Sequence, residues 1–200
     1  MKINLYKCGY LQTNCYLAWD EGTRKAFIVD PGDVSSPLKK FIREQGLIPE
    51  YIILTHGHSD HTGGIKDLLN EFPDIKLVAS EAERDFLKSN RLSYGSSEIE
   101  CDLYVQDGET LKAAGTTLQF ISTPGHTPGG MCIHVDGVLF SGDTLFRSSI
   151  GRSDFPGGDH KTLIHSIREK LFVLPESTRV LPGHDDESTI GYEVRNNPFV

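Results

Sequence analysis

The chain has no long apolar run, no basic cluster and no paired cysteine motif, and each absence removes a class of function. No stretch approaches the ~20 apolar residues that a membrane-spanning helix needs, so no membrane partner is expected. The start, Met1-Lys2-Ile3-Asn4-Leu5-Tyr6-Lys7, lacks the apolar core of a secretory signal. Lys and Arg never cluster beyond a pair, and 28 acidic residues against 20 basic ones give a formal net charge of -8. Phosphate backbones select basic surfaces, so nucleic acid is not an expected partner either. Cysteine is sparse: Cys8, Cys15, Cys101 and Cys132, with no Cys-x-x-Cys spacing. A chain of 200 residues has room for a core that needs no disulfides. Reduced, buried thiols in a cytoplasmic setting are the expectation, and Cys8 facing Cys15 across a hairpin is the one pairing left open. Linkers, repeats and low-complexity tracts are also missing, so residues 1–200 read as a single domain.

What is present alternates between strand and helix. Residues 2–8, 14–19 and 25–30 read as strands separated by Gly-containing turns. A helix is expected over 36–45, capped by Ser35 or Ser36, started by Pro37 and ended by Gly46, with Leu38, Phe41 and Ile42 on one face. A strand over 50–55, a helix over 61–71 and a strand over 76–79 follow. Ser80 and Glu83 have the spacing of a capping box for a helix over 80–88. From Asn90 to Asp107 the pattern weakens, and Tyr94-Gly95-Ser96-Ser97 reads as a loop whose tyrosine reaches solvent or closes over a site. Strands resume at 109–112, 116–122, 130–135 and 138–142. Asp159 can cap a helix to Leu171 that buries Leu163, Ile164, Ile167 and Leu171, and a last strand spans 178–181. Two sheets packed face to face with outer helices fit this order, although periodicity alone also admits one doubly wound sheet.

The densest chemistry is Thr55-His56-Gly57-His58-Ser59-Asp60-His61, three imidazoles and a carboxylate at the end of the apolar run Tyr51-Ile52-Ile53-Leu54. These are the ligands that borderline divalent metals prefer. His56 and His58 share a side of an extended segment, and a turn at Ser59 can bring Asp60 and His61 to a second, neighbouring position. Three further candidates sit at strand ends behind a glycine, which lets the backbone turn tightly beside an ion. They are His126 in Thr123-Pro124-Gly125-His126, Asp143 in Ser141-Gly142-Asp143 and His184 in Leu181-Pro182-Gly183-His184. His134, His160 and His165 lack partners at ligand spacing and read as structural or surface residues.

With Asp30-Pro31-Gly32 upstream, this constellation resembles the metallo-β-lactamase fold superfamily of hydrolases over nearly the whole chain. The resemblance implies an α/β fold of αββα type. Two mixed sheets would lie face to face with helices outside and a metal site at one edge. It implies that His56, His58 and His126 hold one divalent ion and that Asp60, His61 and His184 hold a second. Asp143 would bridge the two, and Asp30 would orient a ligand from behind unless it is only a turn residue. Zinc is the first candidate, with iron or manganese also suited to these ligands.

A narrower set of motifs looks like the small type II glyoxalase branch, which is hydroxyacylglutathione hydrolase-like. It comprises Leu11-Gln12-Thr13-Asn14-Cys15-Tyr16, Gly142-Asp143-Thr144-Leu145-Phe146, Gly151-Arg152-Ser153-Asp154-Phe155-Pro156-Gly157-Gly158 and Thr189-Ile190-Gly191-Tyr192-Glu193 with Asn197-Pro198-Phe199. Members cleave glutathione thioesters such as S-lactoylglutathione. Full-length glyoxalases also carry a helical C-terminal domain, whereas sixteen residues follow His184 here. Ser153 and Asp154 stand where that pattern has an aromatic pair, and the acidic run Asp185-Asp186-Glu187 follows His184. The mechanism implied is attack by a metal-bridging hydroxide on a thioester or ester carbonyl, with Asp60 handling a proton. Arg152 would grip an anionic small-molecule substrate through its guanidinium, or else it is a surface arginine paired with Asp154. The competing readings are a mononuclear non-haem iron persulfide dioxygenase using His56, His126 and Asp143, a lactonase or other ester hydrolase of the same superfamily, and a non-catalytic metal module. The sequence leaves oligomeric state open.

Overall fold

The computed structural model describes residues 1–89 and 98–200. Its first sheet takes β1 (Lys2–Cys8), β2 (Thr13–Trp19), β3 (Lys25–Val29), β4 (Ile48–Ile53), β5 (Lys76–Ser80) and β6 (Leu103–Val105) in that spatial order. The strands β1, β2 and β3 pair antiparallel, then β3 through β6 pair parallel. Parallel neighbours need crossovers, and these are supplied by α1 (Ser36–Glu44), by α2 (Ser59–Thr62) with α3 (Ile65–Glu71), and by a segment including α4 (Arg84–Leu87). The second sheet contains β7 (Thr110–Ala113), β8 (Thr116–Ser122), β9 (Met131–Val135), β10 (Val138–Gly142), β13 (Arg179–Pro182) and β14 (Ser188–Thr189), ordered β14-β13-β10-β9-β8-β7. Only its β10–β13 pairing is parallel, so both sheets are mixed. A two-strand ribbon, β11 (Leu145–Phe146) with β12 (Ser149–Ile150), follows β10. The helix α5 (His160–Ser166) continues as a wider turn over Ile167–Leu171, and α6 (Ile190–Asn196) follows β14.

Alternation along the strands builds the layers. In β2, Tyr16 and Ala18 face the second sheet while Cys15, Leu17 and Trp19 face the helices. In β3, Phe27 and Val29 point inward and Ala26 and Ile28 outward. The middle core joins these to Phe120, Ile133 and Phe140 of the second sheet, and Phe27 meets Phe140 edge-on at 6.0 Å. Each such side chain contributes about 1.5–3 kcal/mol by leaving water. Outside the first sheet, Leu38 and Ile42 of α1 and Ile65 and Leu68 of α3 complete a second core. Outside the second, Leu163, Ile167, Leu171 and Ile190 complete a third. The expected αββα sandwich is therefore present.

Local expectations fared unevenly. Ser35 caps α1, its hydroxyl accepting from the Leu38 amide, and Asp159 caps α5 through the Thr162 amide. The single helix expected over 61–71 is two, broken at Gly63-Gly64. A side chain on Gly64 would stand 2.4 Å from the Asp33 carbonyl oxygen, so the joint is pressed against the loop after β3. The capping box is also corrected. Ser80 makes no side-chain cap bond, the segment is a tight turn over Glu81–Glu83 followed by the single turn α4, and Glu83 is buried elsewhere. Ile164 is half-exposed rather than buried. The short β6 and β14 and the helix α6 had no clear periodic signal. The Tyr94 loop lies outside the described residues. All four cysteines are buried free thiols, so Cys8 and Cys15 form no disulfide. No helix among the described residues is long and apolar enough to cross a membrane.

Candidate metal centre

The carboxyl ends of β3, β4, β8, β10 and β13 open onto one edge of the sandwich, because β3 runs parallel to β4 and β10 runs parallel to β13. Each end releases one piece of the site. Asp30 follows β3, His56 and His58 follow β4, and Asp60 and His61 sit in the first turn of α2. His126 follows β8, Asp143 follows β10 and His184 follows β13. All seven residues expected as ligands meet here.

They meet as two groups. His56 Nε2 and His58 Nδ1 lie 3.2 and 3.0 Å from His126 Nε2. His184 Nε2 lies 3.3 Å from His61 Nε2 and 3.2 Å from Asp60 Oδ2. Asp143 stands between the groups, its Oδ1 at 3.3 Å from His61 Nε2 and its Oδ2 at 3.6 Å from both His126 Nε2 and His184 Nε2. A tetrahedral ion with bonds of about 2.0–2.1 Å has ligand-to-ligand edges of roughly 3.3 Å, so the spacing fits metal coordination.

The hydrogen atoms fit as well. His61 donates its Nδ1–H to Asp30 Oδ2 at 2.9 Å. Asp30 is itself fixed by the Thr55 amide at 2.8 Å and the Thr55 hydroxyl at 2.6 Å. That hydroxyl, its proton spent on Asp30, accepts from His56 Nδ1–H at 3.0 Å. His126 donates Nδ1–H to the Arg152 carbonyl at 2.6 Å. Each bond leaves a bare lone pair on Nε2, pointing into the cluster. Acceptors thus face acceptors, and the buried Asp143 Oδ1 has no hydrogen-bond donor. Such an arrangement needs cations.

The protonation tendencies separate the groups. Burial, reinforced by neighbouring imidazoles, holds His56 well below its usual range and His58 at about 4, leaving both rings neutral and able to ligate. Burial also disfavours charge on His61, yet the carboxylates of Asp143 and Asp30 raise it well above the usual range. Burial would raise Asp143, but the His61 charge and its neighbours hold it far below the ordinary carboxylate value. The second group therefore takes up a proton when no other cation is there.

Further residues brace the ligands. Thr13 Oγ1 donates to Asp60 Oδ2 at 3.2 Å. Asn14 Nδ2 donates to the carbonyls of Pro182 and Asp185 at 2.9 and 3.0 Å, and the Tyr16 hydroxyl donates to Pro182 at 2.8 Å, so β2 holds the loop that carries His184. Glu83 accepts from the amides of Gly57 and Gly129 and from the Thr127 hydroxyl. In the sequence Thr13 and Asn14 stand out only as part of a family motif, and Tyr16 by that motif and by its alternation with apolar neighbours. Glu83 has the sequence spacing of a helix cap but braces these loops instead, and Thr55 and Thr127 carry no sequence signal of their own.

A cleft of about 480 Å³ opens on the cluster, walled by Leu11, Phe146, Ile150 and Phe155, with Arg152 and Asp185 at its polar margin. A larger groove, about 860 Å³, runs between residues of β1 and β13 and shares only Asp185 with the cleft. Arg152 is exposed. Its Nε and Nη2 donate to the Asp154 carboxylate at 2.9 and 2.8 Å, and its guanidinium stacks over Phe155 at 4.0 Å. His134, His160 and His165 take no part in the cluster.

The sequence model of the metallo-beta-lactamase superfamily matches residues 8–184. The hydroxyacylglutathione hydrolase GloC of Haemophilus influenzae is 38% identical, the match covering 100% of this chain and 98% of that protein. Among solved structures, the BLEG-1 B3 metallo-beta-lactamase superposes with a TM-score of 0.91 at 35% identity, over 99% of both chains. TTHA1623, solved in a di-iron-bound form, superposes with a TM-score of 0.84 at 34% identity, over 98% of this chain and 100% of that one.

Proposed function

The chain belongs to the metallo-beta-lactamase superfamily, and from that premise we propose that it is a dinuclear metal-dependent hydrolase of thioesters or related esters. The observation that carries the reading is the convergence of seven donors into two groups sharing Asp143. His56, His58 and His126 would hold the first ion, Asp60, His61 and His184 the second, and Asp143 both. Zinc suits these ligands, and the di-iron form of TTHA1623 makes iron the alternative. Divalent ions bound there supply water of lowered pKa and polarisation of a carbonyl.

The protein's own residues do the rest. Asp30, Thr55 and the Arg152 carbonyl keep the ring protons turned away from the centre. Asp60 lines the cleft and accepts from Thr13, which supports a role in taking a proton from the incoming water and returning it to the leaving group. Leu11, Phe146, Ile150 and Phe155 exclude water and seat an apolar acyl or thiol segment. Arg152 anchors a carboxylate on the substrate by exchanging its exposed bond to Asp154, since such surface pairs are worth only about 0–1 kcal/mol. The name of the Haemophilus relative supports a glutathione thioester as that substrate.

The test is a panel assay on protein of measured metal content, including S-lactoylglutathione, other thioesters, lactones, a chromogenic β-lactam and glutathione persulfide. About two ions per chain with thioester hydrolysis is the expected result. One iron per chain with oxygen uptake on the persulfide would replace this reading with the dioxygenase one. Full metal loading without turnover on any member would reduce the site to a binding module.

A further inference from the structure

We propose that Glu83 is the positioning residue for the first metal position, tying the loop of His56 and His58 to the loop of His126 through one buried carboxylate. The inference rests on the metal-site reading above. Glu83 Oε1 accepts from the Gly57 amide at 2.9 Å, and Gly57 lies between His56 and His58. Its Oε2 accepts from the Gly129 amide at 2.7 Å and the Thr127 hydroxyl at 3.1 Å, and Thr127 follows His126. Every imidazole of the first group is thus one residue from an atom that this carboxylate holds.

The packing is as tight as the hydrogen bonding. Glu83 is 1% exposed. A side chain on Gly129 would stand 2.2 Å from the Glu83 amide nitrogen, so the His126 loop lies directly on this turn. A side chain on Gly57 would stand 2.9 Å from Leu87, so the His56–His58 loop lies on α4 from the other side. The second group is braced separately by Thr13, Asn14 and Tyr16 of β2, and none of the three hydrogen bonds of Glu83 reaches it. Two scaffolds therefore carry the two positions, and they meet at Asp143 and at Asp30, which bonds His61 directly and His56 through Thr55.

Chemistry explains why a carboxylate is needed. Three donors converge on two oxygens, and both oxygens must accept. Glutamine keeps the shape but turns one oxygen into a donor, so either the Gly57 arm or the Thr127–Gly129 arm is lost. One ligand loop is then free to drift from the other. Partners that orient metal ligands typically change affinity by about 10–100-fold.

The experiment uses the full chain as wild type, Glu83→Gln and Thr127→Val, with His58→Ala and His184→Ala as references for the two positions. Metal-free proteins are titrated with Zn²⁺ against a chromophoric chelator and with Co²⁺ followed by its visible spectrum, and their melting is recorded. Glu83→Gln should weaken the first position by about 10–100-fold and leave the second within roughly threefold. Thr127→Val, which removes one bond of the three, should weaken the same position less, and it carries the test if Glu83→Gln does not fold. Equal weakening of both positions, a lower melting temperature with unchanged affinities, or a wild type that fills only the second position would overturn the proposal. Turnover is not a readout, so a chain that binds metal in this way but cleaves no thioester would refute the hydrolase reading alone.

Discussion

Replacing Asp30 by asparagine isolates the proton arrangement on which the centre depends. Asp30 is 1% exposed and accepts three hydrogen bonds, from the Thr55 amide on Oδ1 and from the Thr55 hydroxyl and His61 Nδ1 on Oδ2. Its φ of 49° lies in the left-handed region, which asparagine tolerates better than most residues, so the backbone cost of Asp30→Asn is small. The amide side chain has a single oxygen to offer the three donors. With that oxygen at the Oδ2 place, the Thr55 amide faces an NH₂ group, a buried unpaired donor costing about 1–3 kcal/mol. With it at the Oδ1 place, the NH₂ faces His61, whose ring must then carry its proton on Nε2 and cannot ligate. The first route lowers stability by that amount and leaves His61 able to ligate, whereas the second costs roughly 10–100-fold in metal affinity. The effect should be largest at the position of Asp60, His61 and His184. It should be smaller at the other, which Asp30 reaches only through Thr55 and His56. Chelator competition measures both affinities, and nitrogen NMR of the zinc-loaded protein reads the His61 tautomer. Unchanged affinity at both positions together with an unchanged unfolding free energy would refute the reasoning.

Asp143→Ala should strip metal from both positions at once, because Asp143 turns Oδ1 to His61 and Oδ2 to His126 and His184, and elemental analysis showing either ion retained at full occupancy would count against a bridging role. Arg152→Ala should raise KM for carboxylate-bearing thioesters by several-fold while neutral ones change little, since an exposed charge steers and anchors anions and offers a neutral group nothing of the kind; equal effects would remove the anchor. Phe140→Ala should cost about 3–5 kcal/mol in denaturant unfolding of the metal-free protein, because its ring is fully buried between Tyr16 and Phe27, and a loss below about 1 kcal/mol would mean that the middle core is not packed as described.

Much of the layered fold was legible because burial on both faces imposes simple patterns. β2, β3 and β10 read as strands, being short and rich in apolar residues, and α1 and α5 as helices, having caps and an apolar stripe. The elements missed were those held by something other than their own pattern. The strand β6 has three residues and exists because β5 offers it an edge. The helix α6 is pinned by Glu193, which accepts from the Ser148 amide and from Asn197. The helix expected over 61–71 broke where the loop after β3 allows no side chain on Gly64. In each case the deciding contact is distant in sequence.

The site divides along the same line. Residue type and spacing marked the candidate ligands, because imidazoles and carboxylates at turns behind strands can gather on a cation, and the seven candidates lie together in the fold. Tertiary structure decided which nitrogen each ring presents, that Asp143 stands between two groups, and that Glu83 braces loops rather than capping a helix. A ring's free nitrogen depends on the partner of its other nitrogen. For His61 and His126 that partner lies 31 and 26 residues away along the chain, so it becomes visible only when the strands have brought those residues together.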